Sequence, residues 1–199
     1  MSNNPSQLDF WRRRIAEVTA RGRPVQDAVA YWAPEIRAEI QERSRNIIMP
    51  YITRGWIIAE SRVLDVCCGC GDLIEVIPDG CFYRGIDVVP EFIETAKARY
   101  GKREYTEFAV VDIAKEPYNV GWAEPGYFDI AVCRDVEGTV GGSIGKSPAG
   151  ADLWGRVVEC LVRYAHVVLM FSYQHTKPKV VIGFGKFASH IPFTIREAE

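Results

Sequence analysis

The chain has 199 residues, 48% hydrophobic and 25% charged, with a formal net charge of −2. That length suits one domain with a small extension, and the apolar content is enough for a packed core, which argues against global disorder. The near-neutral charge gives no general attraction to nucleic acid or an anionic membrane, and no apolar run approaches the ~18 residues of a membrane span.

The charge is unevenly spread. Residues 1–62 hold ten Arg and no Lys against seven acidic residues, a net of +3, so the remainder carries −5. An Arg-rich front segment can pair with phosphate or carboxylate, and it serves equally well as the solvated face of helices. Six Cys and a start, Met1-Ser2-Asn3-Asn4-Pro5, that lacks the basic-then-apolar secretion pattern point to a reducing cytoplasm.

Three helices are predicted ahead of the core. Leu8, Trp11, Ile15 and Val18 recur at helical spacing behind Ser6, an N-cap residue type. Gly22 and Pro24 end that helix, and Val25 to Trp32 forms a short second one. Pro34 suits the first turn of a third, with Ile36, Ile40 and Ile47 on one face and Arg37, Arg43 and Arg45 outside it. From Arg62 the pattern changes to short apolar runs separated by helix-like segments. Strands are predicted at Val63 to Cys67, Phe82 to Val88, Phe108 to Val111, Phe128 to Cys133 and Val167 to Tyr173. Helices follow from Pro90 to Tyr100 and from about Asp152 to Tyr164. Such alternation predicts an α/β fold, a mainly parallel sheet with helices on both faces and ligands at the strands' carboxyl ends. The Gly-, Ser- and Pro-rich stretch from Gly138 to Gly150 is read as a mobile loop on that edge. Past Tyr173 the chain is short, with Lys179 to Phe184 and Phe193 to Arg196 as candidate strands of a compressed end.

The segment Val63-Leu64-Asp65-Val66-Cys67-Cys68-Gly69-Cys70-Gly71-Asp72-Leu73 is a strand running into small residues, two of them Gly, which permit a sharp turn and close approach to the main chain. Asp87 ends the second predicted strand 22 residues after Asp65, and Asp112 follows the third. An acid at the second position can accept hydrogen bonds from both hydroxyls of a ribose. Any one of these aspartates alone is explained as a cap or turn residue, but three at successive strand ends are not.

In this arrangement the chain resembles the class I S-adenosylmethionine (SAM) dependent methyltransferases, whose fold is Rossmann-like. The resemblance covers roughly residues 55–175 and is strongest at 63–113. It divides the chain into a helical extension at 1–55, which would act as a substrate lid, and a SAM-binding domain at 56–199. It implies that Asp65 organises the loop and the cofactor's amino end, that Gly69 and Gly71 pass under the methionine part, and that Asp87 takes the ribose. Asp112 would accept from the adenine amino group between Val88 and Ile113, and Cys133 would border the site. Cys67 stands where the family's first Gly is usual, and a Cys-Cys-Gly start resembles the variant of menaquinone and ubiquinone methyltransferases.

Two other cofactor chemistries fit less well. A nicotinamide dinucleotide fingerprint needs a third Gly where Ile74 stands, and Asp72 would oppose a pyrophosphate. Adjacent Cys67 and Cys68 lack the paired C-x-x-C spacing of zinc sites, so no metal is assigned. After the fourth strand, Arg134 is a candidate for holding an anionic substrate, Asp135 for orienting the acceptor or taking its proton, and Glu137 for contacting it. An Arg/Asp/Glu cluster that only orders the loop is as good a reading. Tyr31 is a further substrate-contact candidate from the N-terminal segment. His166 and His175 lack metal-ligand spacing and are read as structural. The acceptor class expected is a small molecule. The alternatives are a nucleic-acid or protein acceptor docked by the Arg-rich arm, and a catalytically silent SAM- or partner-binding module.

Overall fold

The structure is a computed structural model that describes residues 7–29, 34–113, 115, 124–134, 158–171, 179–182 and 195–197. Ser6, Tyr31, Trp32, Asp135, Glu137, His175 and the Gly138 to Gly150 stretch lie outside the described residues. So do the side chains of Ile36, Arg37, Ile40, Arg43, Ile47 and Arg134.

Three helices come first: α1 (Gln7–Ala20), α2 (Gln26–Val29) and α3 (Pro34–Thr53). The sheet then begins with β1 (Arg62–Val66), followed by β2 (Phe82–Asp87), α4 (Pro90–Tyr100), β3 (Thr106–Val110) and β4 (Phe128–Arg134). Residues 158–164 form helix α5, which leads into β5 (Ala165–Phe171), β6 (Lys179–Ile182) and β7 (Ile195–Glu197). The strand order is β3-β2-β1-β4-β5-β6-β7. The first five strands are mutually parallel. β6 and β7 then close the edge antiparallel, so the short C-terminal end adds two strands to the sheet.

Chain order reverses between β1 and β4, which lie side by side with Val66 opposite Cys133. In an open parallel sheet this switch point opens a crevice at the strands' carboxyl ends, because the two connections leave in opposite directions. Side chains alternate across the sheet as the pleat requires. Val63, Tyr83, Phe108, Ile130, Val132 and Leu169 face α3 and α4, where they meet Ile48, Tyr51, Ile93 and Ala96. Leu64, Val66, Ile86, Ala131, Cys133 and Val168 face α5, against Cys160, Leu161 and Tyr164. β3 begins two residues earlier than its apolar run suggests. It is an edge strand, and Thr106 and Glu107 pair along β2 with Glu107 exposed.

α4 starts where Pro90 supplies a pre-set φ and needs no N–H partner, directly after the turn that leaves β2. Under it the packing is tight. A Cβ built on Gly85 would lie 2.8 Å from Phe108 Cδ1 and 2.9 Å from Cys68 Sγ. Gly85→Ala should therefore overpack this face and cost about 1–3 kcal/mol. Urea unfolding checks this: the midpoint should fall with the slope unchanged, and an unmoved midpoint would contradict the packing described.

Candidate active site

The turn after β1 is built from unusual backbone. Cys67, Gly69 and Gly71 all adopt left-handed φ, at 59°, 55° and 79°. Gly tolerates this freely, whereas a residue with a Cβ pays roughly 1–2 kcal/mol. Cys67 therefore carries strain at the position where the family pattern has Gly. Hydrogen bonding with the neighbouring Cys133 thiol, then burial, holds its pKa well above the ordinary thiol value.

What fixes the turn is Asp87. Its Oδ2 accepts from the Gly69 amide at 2.9 Å and its Oδ1 from the Val89 amide at 3.0 Å, so one carboxylate ties the β1 turn to the β2 turn. The Cys68 amide donates to the Ile86 carbonyl at 3.0 Å and the Val111 amide to the Asp87 carbonyl at 2.9 Å, continuing both ladders past their strands. Asp87 is 8% exposed, and burial lifts its pKa to about 6, against the lowering effect of the backbone amides.

Asp65 lies deeper than expected. It is fully buried and its Oδ2 accepts from the Tyr83 hydroxyl at 2.5 Å. It lies close enough to Asp87 to help raise that residue's pKa. The two Gly also have protein neighbours. A Cβ on Gly71 would meet Phe108 at 2.9 Å and Ala96 at 3.3 Å, and one on Gly69 would meet Val29 of α2 at 3.3 Å. Gly71 is thus required from below as well as by its φ.

Beyond the turn the structure has only one turn of 3-10 helix, Asp72–Glu75, with Leu73 and Ile74 buried in the core. The missing helical length is offset by arginines from the end of α4. Arg99 donates to the Cys70 carbonyl at 3.3 Å, to Asp72, and to Glu75 at 3.0 Å. Arg103 donates to the Ile74 carbonyl at 2.7 Å and to Asp79 at 2.7 Å. Sequence reasoning missed both arginines, since neither has a local partner that spacing would reveal.

Of the other predicted residues, Asp112 makes a local turn, with Lys115 Nζ at 2.8 Å from its Oδ2. Ile113 is buried on the α5 face. Val88 packs in a third cluster with Ile15, Val18, Ala28, Val29, Cys70, Val89 and Phe92. This cluster seats α1 and α2 directly on the β1 and β2 turns, aided by the Trp11–Phe92 edge contact and the Arg12–Glu91 ion pair at 3.5 Å. Cys133 is buried at the end of β4. Topology brings the ends of β1, β2, β3 and β4 to one edge of the sheet, and Arg134 ends β4 there.

A parallel sheet in this order, with an acid-anchored, Gly-bearing turn at its switch point, defines a Rossmann-like protein of the class I methyltransferase fold. Residues 64–141 match the family model described as a methyltransferase domain. The chain is similar to magnesium protoporphyrin IX methyltransferase of Synechocystis with bound SAM (17% identity, TM-score 0.59), over 85% of this chain and 77% of that one. The same enzyme with bound S-adenosylhomocysteine (SAH) matches at 19% identity and TM-score 0.48 over 68% of this chain and 56% of that one. Phosphoethanolamine N-methyltransferase 2 of Haemonchus contortus, with SAM, matches at 19% and 0.49 over 65% and 27%. In the last two comparisons the chain spans little more than half and about a quarter of the partner's length. No curated protein sequence matches it. Residues 64–141 thus match a methyltransferase domain, on a sheet of the class I methyltransferase fold.

Asp87 sets a pH signature in the free protein. Its folded pKa, about 6, lies above the ordinary 3.8, so between these values the folded state keeps a proton that the unfolded state has lost. Stability contributed by this group is full below that window and is lost as pH rises through it. Over the whole window the loss should be about 3 kcal/mol. Chemical unfolding of wild type and Asp87→Asn from pH 4 to 7 measures it: only wild type should show this extra decline, and parallel profiles would contradict it.

Proposed function

We propose that the chain transfers the methyl group of SAM to a small-molecule acceptor bound at the carboxyl edge of β4. The observation that carries the cofactor part is the Asp87 carboxylate, set at the end of β2 and joined to the Gly69 amide. The donor set fits the cofactor. A carboxylate that titrates near 6 is ionised at neutral pH, and each oxygen retains a lone pair for a ribose hydroxyl. Gly69, Cys70 and Gly71 offer a floor of small residues for the methionine part, with Cys67 and Cys133 at the crevice. Val88 and Ile113 are the apolar groups assigned to the adenine and Asp112 the acceptor for its amino group. Asp65 acts from below, through the turn.

When bound, SAM supplies an electrophilic methyl on a sulfonium. The protein's part is to hold the acceptor atom in line with the leaving sulfur and keep water out. Arg134 ends β4 on this edge, and Asp135 and Glu137 come next in the sequence. In this reading Arg134 holds an anionic group of the acceptor, Asp135 orients its hydroxyl or amine or takes the proton, and Glu137 with Tyr31 completes the contact. The helical segment 1–55 serves as the lid, supported by α1 and α2 packing on Cys70, Val88 and Val89. The neighbour that shares the fold over most of this chain is named for a small-molecule acceptor.

A nucleic-acid acceptor has less support. Part of the arm's positive charge is paired within the chain: Arg12 with Glu91, Arg14 with Glu17, Arg23 with Asp27 and Arg45 with Glu42. Among the described residues no helix is long and apolar enough to cross a membrane, and six free cysteines accord with a cytoplasmic protein.

Calorimetric titration with SAM tests the cofactor assignment, and methyl transfer from labelled SAM to a metabolite mixture tests the activity. Wild type should bind, and Asp87→Ala should bind at least tenfold more weakly. Two effects act together in that variant: the ribose acceptor is lost and the Gly69 amide is released. Unchanged affinity would remove the central assignment. Binding without any methylated product, in small molecules or nucleic acid, would favour a silent SAM-binding module.

A further inference from the structure

We propose that Arg99 is a positioning residue for the cofactor, acting through the Cys70 carbonyl to set the floor of the β1 turn. The Cys70–Gly71 peptide is fixed at both ends. Its carbonyl accepts from Arg99 Nη1 at 3.3 Å, while its N–H donates to the Cys68 carbonyl at 3.0 Å. This peptide would flip by rotation about ψ of Cys70 and φ of Gly71, and left-handed Gly71 offers little steric resistance on its side. A flip would reverse the polarity that the floor presents to a ligand.

Arg99 is suited to prevent it. The guanidinium is held in place by Asp72 on one nitrogen and Glu75 at 3.0 Å on the other, and it lies over the Tyr100 ring at 4.6 Å from the centroid. Glu75 is in turn held by the Tyr100 hydroxyl. A planar fork with two fixed partners spends little further freedom on a third bond. α4 thus restrains the site at both ends: its start adjoins the Asp87–Val89 turn, and its last turn reaches back to Cys70. Arg103 makes a useful contrast. It holds the carbonyls of Ile74, Ile77 and Pro78, downstream of the floor, and among the described residues its hydrogen bonds go to none from 67 to 71.

The inference rests on the SAM reading, and the test separates the two. SAH binding is measured by calorimetry for wild type, Arg99→Met, Arg99→Lys and Arg103→Met, with melting temperatures and amide exchange of Gly69 and Gly71 in the cofactor-free proteins. Arg99→Met should weaken SAH about tenfold and speed exchange at both glycines. Lys keeps the charge without the fork and should fall between Met and wild type. Arg103→Met should lower the melting temperature at unchanged affinity. Equal affinity of the two Arg99 variants and wild type would overturn the proposal, as would an Arg103→Met loss as large as that of Arg99→Met. Absence of SAH binding by wild type would overturn the cofactor assignment itself, while faster glycine exchange in Arg99→Met would still support control of the turn.

Discussion

The site depends on the pair of hydrogen bonds by which Asp87 holds the Gly69 and Val89 amides. Three left-handed residues within five make the β1 turn costly to form, and one of them, Cys67, has a side chain. Such backbone persists only where surrounding bonds over-determine it. Here they come from a buried carboxylate on one side and the Arg99 guanidinium on the other. The carboxylate is itself destabilised by burial, so the fold accepts a cost at Asp87 to present an acid at the end of β2.

α4 gives this arrangement its rigidity. Its buried Ile93 and Ala96 pack against the sheet, and Phe92 packs against α1 and α2. Its two ends address the two turns that form the crevice, so a change in one turn is transmitted through a packed helix. The N-terminal helices add a third wall. Val29 lies against Gly69, and Ile15 and Val18 share a cluster with Cys70 and Val89. The packing of α1 and α2 thereby bears directly on the shape of the turn.

Much of this was legible in sequence, for identifiable reasons. β1, β2, β4 and β5 are buried on both faces over most of their length, so they read as short runs rich in apolar residues. α4 is bounded by Pro90 and Gly101, and its ends agree with its sequence signals. The site's frame was legible too, because acids and glycines mark strand ends at characteristic distances. What escaped notice depends on contacts distant in sequence. Thr106 and Glu107 look like loop residues until β2 pairs with them. Gly71 reads as room for a ligand, yet Phe108 and Ala96 also demand it. Asp65 reads as a residue near the ligand, yet it is fully buried against the Tyr83 hydroxyl. Arg99 in the last turn of α4 and Arg103 just past it are two basic residues until their partners 20 to 30 positions away are brought to them. Asp112 shows a local cap in the free protein, and a single sequence does not separate that role from adenine recognition.

The account stands most directly on where the cofactor's ribose lies. A crystal structure of the protein with SAH should place both ribose hydroxyls within hydrogen-bond distance of the Asp87 carboxylate, with the amino-acid part over Gly69 to Gly71. SAH held elsewhere, or a ribose that leaves Asp87 bonded to backbone amides alone, would contradict it.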